Sequence, residues 1–191
     1  MSIKKIKATD TELNTNRAKE IKNIIKKISA NKSIHPKRVA STQGNNKIIF
    51  CVTDSSRITD NNQFELRSDI HERFKTINPT FTACYYEIWE KVANTKQDYY
   101  LNRIYFHIYL SELDKEYLLL HTDPLDNDVT HGIYKRSPHL HIKCSVDNII
   151  SHAHFALNIN DYDIALSSLT EINKCFQNHI EMLAHQILMI R

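Results

Sequence analysis

The sequence predicts an α+β protein: an antiparallel β-sheet meander with a basic N-terminal helix and two C-terminal helices packed on its apolar face. Three observations predict it. Ile21, Ile24, Ile25 and Ile28 recur at helical spacing in a lysine-rich opening segment. Four segments beyond Pro79 alternate polar and apolar residues with a period of two. The last stretch of chain carries apolar residues at intervals of three and four.

The bulk composition is ordinary for a globular chain, with 41% hydrophobic and 25% charged residues in 191. That length suits one domain with a real core. Residues 1–46 read as a basic helix and loop, and residues 47–191 as a single α+β domain. Gly44 and Gly132 are the only glycines, which excludes glycine-rich phosphate loops and dinucleotide folds. The four cysteines form no CxxC pair and suit reduced, buried thiols of a cytoplasmic protein. MSIKKIKATD does not lead into an apolar signal segment. No stretch approaches the roughly 20 apolar residues of a membrane span, so no membrane is expected.

Charge is unevenly placed. Residues 1–40 hold eleven Lys or Arg against three acids, a net of +8 in a chain that totals +3. A basic arm on a mildly acidic body suits contact with nucleic acid, RNA above all. It equally suits a solvated helix followed by a loop.

Taken in order, Thr11 to Ser29 reads as the basic helix. The segment ANKSIHPKRVASTQGNN has the composition of a loop that orders on binding. IIFCVT (48–53) reads as a strand, and Glu65 to Lys75 as a short helix that stops before Pro79. TACYYEIWEKV, YYLNRIYFHIYL, EYLLLHT and IYKRSPHLHIKC are the four alternating strands, with SELDKE as a tight turn. DPLDNDVTHG lacks the ligand spacing of a calcium loop and reads as a polar hairpin loop. Ser145 is placed to cap a helix from Val146 to Leu157, and Asn160 or Asp161 a long helix to Ile190. The apolar stripe of that last helix includes Ile172, Phe176, Ile180, Leu183 and Ile187. Cys175, Met182, Leu188 and Met189 widen it, so it serves as core or as a docking face for a protein partner or a second copy.

The polar strand faces carry the chemistry. Arg103, Tyr105, His107 and Tyr109 share one face of their strand, and His139, His141 and Lys143 share one face of theirs. Tyr85, Glu87 and Trp89 are assigned to this polar side, as are Tyr117, Leu119 and His121. Aromatic rings stack on bases, cations hold phosphates and imidazoles titrate near neutral pH. His139, His141 and His107 are therefore the candidate catalytic residues for metal-independent cleavage of a phosphodiester. One imidazole takes the proton of the 2′-hydroxyl and another protonates the leaving oxygen. Arg103, Lys143, Lys135 and Arg136 would hold the phosphate and Tyr105 would stack on a base. A wet, Tyr- and His-bearing sheet face without any catalytic role is the plain alternative.

Two histidines two apart on a strand also suit a shared zinc or other divalent ion. The remaining ligands would come from His121, His107, Glu87 or the segment SHAHF. On a helix, His152 and His154 of that segment diverge by about 200° and cannot chelate together. The HLHIK stretch resembles the histidine triad signature over five residues. His139 and His141 match its first two histidines and Lys143 stands at the third, so the resemblance implies nucleotide hydrolysis with one essential group changed. In outline, helices ahead of a basic, His-lined antiparallel sheet are similar to small bacterial ribonuclease toxins.

Three functions are thus expected. The first is a cytoplasmic, nucleic-acid-directed ribonuclease of toxin or phage-defence type. The second is a non-catalytic accessory subunit docking a larger enzyme through the C-terminal helix. The third is a metal-dependent hydrolase with the His-x-His pair as ligands.

Overall fold

A computed structural model describes residues 5–40, 46–52, 73–113, 115–125, 136–142, 153–157 and 162–190. Among them is one mixed-length antiparallel sheet with helices on a single face. Its strands are β1 (Lys7–Thr9), β2 (Lys37–Ala40), β3 (Lys47–Val52), β4 (Phe74–Lys75) and β5 (Phe81–Lys91), followed by β6 (Asp98–Leu110), β7 (Lys115–Thr122), β8 (His139–Ile142) and β9 (Ala153–Ala156). The order across the sheet is β2-β3-β5-β6-β7-β8-β9, with β1 pairing β6 and β4 pairing β5. The expected meander is therefore β5 to β8, and the sheet extends it on both sides.

The N-terminal helix begins at Asp10. Thr9 accepts from the Glu12 backbone N–H while the Glu12 carboxylate accepts from the Thr9 N–H, a reciprocal cap that satisfies two otherwise unpaired donors. After α1 (Asp10–Glu12), a π-helical turn over Leu13–Arg17 carries the chain into α2 (Ala18–Ile25). The isoleucine stripe faces inward as expected: Ile21, Ile24, Ile25 and Ile28 are buried. They pack in one core with Ile172, Phe176, Ile180 and Leu183 of α4 (Leu169–Gln186) and with Phe106, Ile108 and Leu120 of the sheet. Full burial of each such side chain contributes about 1.5–3 kcal/mol.

Several expectations are corrected. Lys37–Ala40, read as loop, pairs with β3. Phe74–Lys75, the end of the expected short helix, pairs with β5 instead; residues 65–72 of that segment lie outside the described residues. Ala153–Ala156, expected in a helix, is the strand β9 paired with β8. The long C-terminal helix is broken into α3 (Tyr162–Ala165) and α4, because Ser168 adopts an extended conformation and caps the Glu171 N–H. Of the apolar stripe, Ile172, Cys175, Phe176, Ile180 and Leu183 of α4 are buried, as is Leu188 beyond its end, while Met182, Ile187 and Ile190 are partly buried and Met189 is exposed.

The largest correction concerns β5. Tyr85, Glu87 and Trp89 face the helices, because Tyr85 pairs with Phe106 and Glu87 with Ile104, while Cys84 pairs with His107 and Tyr86 with Tyr105. Period two divides a strand into two faces, but the register decides which face meets the core. A buried carboxylate on the apolar side needs partners. Glu87 accepts from Arg17 Nε and Nη2 at 2.6 Å each, from Trp89 Nε1 at 2.8 Å and from the Tyr85 hydroxyl at 3.1 Å. Burial works against the Arg17 charge, but the adjoining Glu87 carboxylate more than offsets it and the guanidinium stays protonated. This network ties the N-terminal helix to the sheet.

The basic arm is partly neutralised internally. Besides Arg17, Lys7 pairs with Asp98, Lys27 with Glu181 and Arg38 with Asp10.

Candidate metal centre

The face opposite the helices is built by three register relations. Tyr86 pairs with Tyr105, Tyr105 with His121, and His121 with His139. A transverse row of four rings thus crosses β5, β6, β7 and β8, with successive ring centroids 5.1, 4.7 and 4.0 Å apart. His141 lies two residues beyond His139 on the same strand and so on the same face. Its centroid is 4.4 Å from that of His121 and 4.9 Å from that of His139.

His121, His139 and His141 are all buried, and each offers a ring nitrogen such that the three atoms lie within 4.8 Å of one another. Two of the rings have an oxygen facing their outer nitrogen. His139 Nδ1 is 3.0 Å from the Ser137 carbonyl, to which it can only donate. His121 Nδ1 is 3.0 Å from Asp123 Oδ2, an electrostatic contact off the line of an ideal hydrogen bond. A proton on Nδ1 leaves the lone pair on Nε2, where a metal can take it, and an oxygen behind a ligand ring is the usual way of fixing its tautomer. His121 Nε2 in turn is 2.5 Å from His141 Nε2. One tetrahedral ion at ordinary zinc–nitrogen distances would hold two such atoms about 3.3 Å apart, so opening that contact by about 0.8 Å admits it. The donor set fits a zinc-type ion: three imidazoles on two paired strands, with tautomers set from behind.

The sequence-predicted catalytic trio is divided. His139 and His141 come together, but their companion is His121. His107 sits one pair further along β6, with Nδ1 2.8 Å from Glu116 Oε2 and its ring among Tyr86, Tyr105 and Tyr109. Glu87, a candidate ligand, is on the other side of the sheet. His154 of β9 is the register partner of His141, and His152 lies outside the described residues.

The predicted phosphate-holding groups are also divided. Arg103 lines an open cleft of 270 Å³ together with Asn102, Tyr105, Asp123 and Leu125. Arg136 precedes β8, its carbonyl accepting from Thr122 Oγ1. Lys135 and Lys143 lie outside the described residues. The Tyr105 ring is sandwiched between Tyr86 and His121, so its two faces are already covered and its hydroxyl, 3.4 Å from Asp123 Oδ1, is the polar part it brings to the cleft.

Two acidic groups escaped the sequence reading. Strict alternation would put Glu116 on the side of Leu118 and Leu120, but Tyr117 is an extra residue in β7: Ile108 pairs with Leu118 and Tyr109 with Glu116. The bulge turns Glu116 towards His107. Asp123 opens the expected hairpin loop DPLDNDVTHG, and its position two residues after His121 is the signal that places it on the same side as that ring. Nearby thiol chemistry is quiet, since burial pushes the Cys84 thiol well above its ordinary range.

Compared with protein-family models, with curated proteins and with solved structures, the chain matches none. Among the described residues no helix is long and apolar enough to cross a membrane.

Proposed function

We propose that the protein is a metal-dependent hydrolase whose divalent ion is held by His121, His139 and His141. The observation that carries this reading is the convergence of three buried imidazoles on one point, with Nδ1 of two of them backed by oxygen. Three neutral nitrogen donors leave a tetrahedral ion one open position, the arrangement of catalytic rather than closed structural zinc sites. An ion there would polarise a substrate oxygen and acidify a water. The chain's own residues do the rest. Ser137 and Asp123 hold two ligand rings in the binding tautomer, the Tyr105 ring excludes water from one side of His121, and the cleft beside Asp123 supplies the approach from solvent.

The same geometry weighs against His139 and His141 as a free acid–base pair. That chemistry needs a substrate between two titrating rings, whereas these rings are buried and lie side by side around His121. The buried thiols at Cys51, Cys84 and Cys175 support a reducing, cytoplasmic setting.

The test is hydrolysis of a panel of phosphate, carboxylate and amide esters, with RNA included, before and after chelation. Activity lost with chelator, restored by zinc and absent from His121→Ala would support the hydrolase. Chelator-resistant RNA cleavage that depends on His139 would overturn it in favour of the metal-independent ribonuclease.

A further inference from the structure

The cleft beside the histidines is shaped by a defect in the ladder. Ile88 pairs with Arg103 and Trp89 with Leu101, so Asn102 is an extra residue in β6. A bulge breaks the alternation of sides, and Asn102 and Arg103, neighbours that a regular strand would point to opposite faces, both line one cavity. Their polar groups are arranged with a direction. Arg103 Nε donates to Asn102 Oδ1 at 2.7 Å, which uses the amide's acceptor and leaves its NH2 as the free end. Among the described residues, the two terminal amino groups of Arg103 make no hydrogen bond, and its side chain is 35% exposed.

We infer that this cleft binds the phosphoryl group of a small phosphate ester and presents it to the histidine centre; the inference rests on the hydrolase reading and names its substrate class. Two Nη groups and an amide NH2 form a donor-only set, and a guanidinium matches tetrahedral oxyanions with two parallel contacts. The cleft joins the centre through two shared residues. Asp123 lines it and contacts His121, and Tyr105 lines it and stacks on His121. The carboxylate of Asp123 opposes an anion, but Oδ2 faces His121, and Oδ1 takes the Tyr105 hydroxyl and stands 3.8 Å from Arg103 Nε, an ion pair that engages the inner edge of the guanidinium and leaves its Nη groups to the cleft. With a divalent ion on the histidines, Arg103, Asp123 and the ion sum to two positive charges, the balance a phosphate dianion needs. Because the Tyr105 ring is covered on both faces, the described residues of the cleft offer no platform for a stacked base. A small ester therefore fits it better than a nucleic-acid strand.

Inorganic phosphate, with acetate beside it, should be titrated calorimetrically into the zinc-loaded full chain. Arg103→Gln is expected to weaken phosphate binding roughly tenfold or more, the loss of charged hydrogen bonds, with zinc content and melting temperature unchanged. Arg103→Lys should recover only part of the affinity, since an ammonium cannot make the paired contact. Phosphate affinity unaltered by Arg103→Gln, or acetate bound as tightly as phosphate, would overturn the inference. If the chain takes up no zinc, the hydrolase reading fails by itself. The same titration of metal-free wild type against Arg103→Gln then still decides the cleft: a drop supports it and equal affinities reject it.

Discussion

Asp123 Oδ2 stands 3.0 Å behind His121 Nδ1, on the side of the imidazole away from His141. The carboxylate thus favours the tautomer with its lone pair towards the other two histidines. It lies where β7 ends and the cleft begins, so one side chain serves both.

Replacing Asp123 by Asn keeps the shape and removes the charge. The expected result is zinc affinity weakened about 10- to 100-fold, with the fold intact, read by competition against a chromogenic chelator. Asp123→Asn with wild-type zinc affinity would mean that the carboxylate does not support His121.

The Arg17–Glu87 pair is buried on the helix side. Arg17→Met leaves the Glu87 carboxylate without its counter-charge and is expected to lower stability by about 3–5 kcal/mol in urea unfolding. The double change Arg17→Met with Glu87→Leu should recover only part of that, because the charge pair itself is close to neutral when replaced by apolar groups but the buried Trp89 Nε1 and Tyr85 hydroxyl lose their acceptor. A double variant as unstable as the single one would show that the network holds the helix by its hydrogen bonds rather than by charge balance.

The cap of α4 is simpler. Ser168→Ala removes the acceptor of the Glu171 N–H, and a loss of about 1 kcal/mol is expected. A melting temperature indistinguishable from wild type would argue that the break between α3 and α4 does not depend on the serine.

Acid sensitivity has a located source. Burial lowers the pKa of His179, partly opposed by its contact with the Cys175 carbonyl. The unfolded chain therefore takes up a proton at higher pH than the folded one. The stabilisation from keeping His179 neutral is present above the unfolded value of 6.5 and is lost as pH falls through the lower folded value. Unfolding midpoints of wild type and His179→Gln, compared at pH values on either side of that window, should converge on acidification. Parallel pH profiles would dismiss His179 as the cause.

The legibility of this fold in its sequence follows from strand length and register. β5, β6 and β7 are legible because enough residues alternate in each to define two faces, and the four-residue β8 because the alternation of His139 and His141 with Leu140 and Ile142 continues in the sequence through Lys143 and Cys144. β2, β4 and β9 are four residues or fewer and were read as loop or helix, since so short a segment shows no period. The grouping of Arg103, Tyr105 and His107 on one face, and of His139 and His141 on theirs, stands. The side assigned to Tyr85, Glu87 and Trp89 was reversed, because alternation has no sign until a partner strand supplies it. His121 was visible as a polar-face residue of its strand. Its priority over His107 depended on the β7–β8 register, which no local pattern encodes. The bulges at Asn102 and Tyr117 broke the period and so hid Asn102 and Glu116 from a reading built on it.

The most direct test of the centre sets His121 against His107. Wild type, His121→Ala and His107→Ala should each be dialysed against zinc, stripped of loosely bound metal and measured by elemental analysis. One zinc per chain is expected in wild type and in His107→Ala, with none in His121→Ala. Wild type without zinc, or equal loss in the two variants, would contradict a metal centre built on His121, His139 and His141.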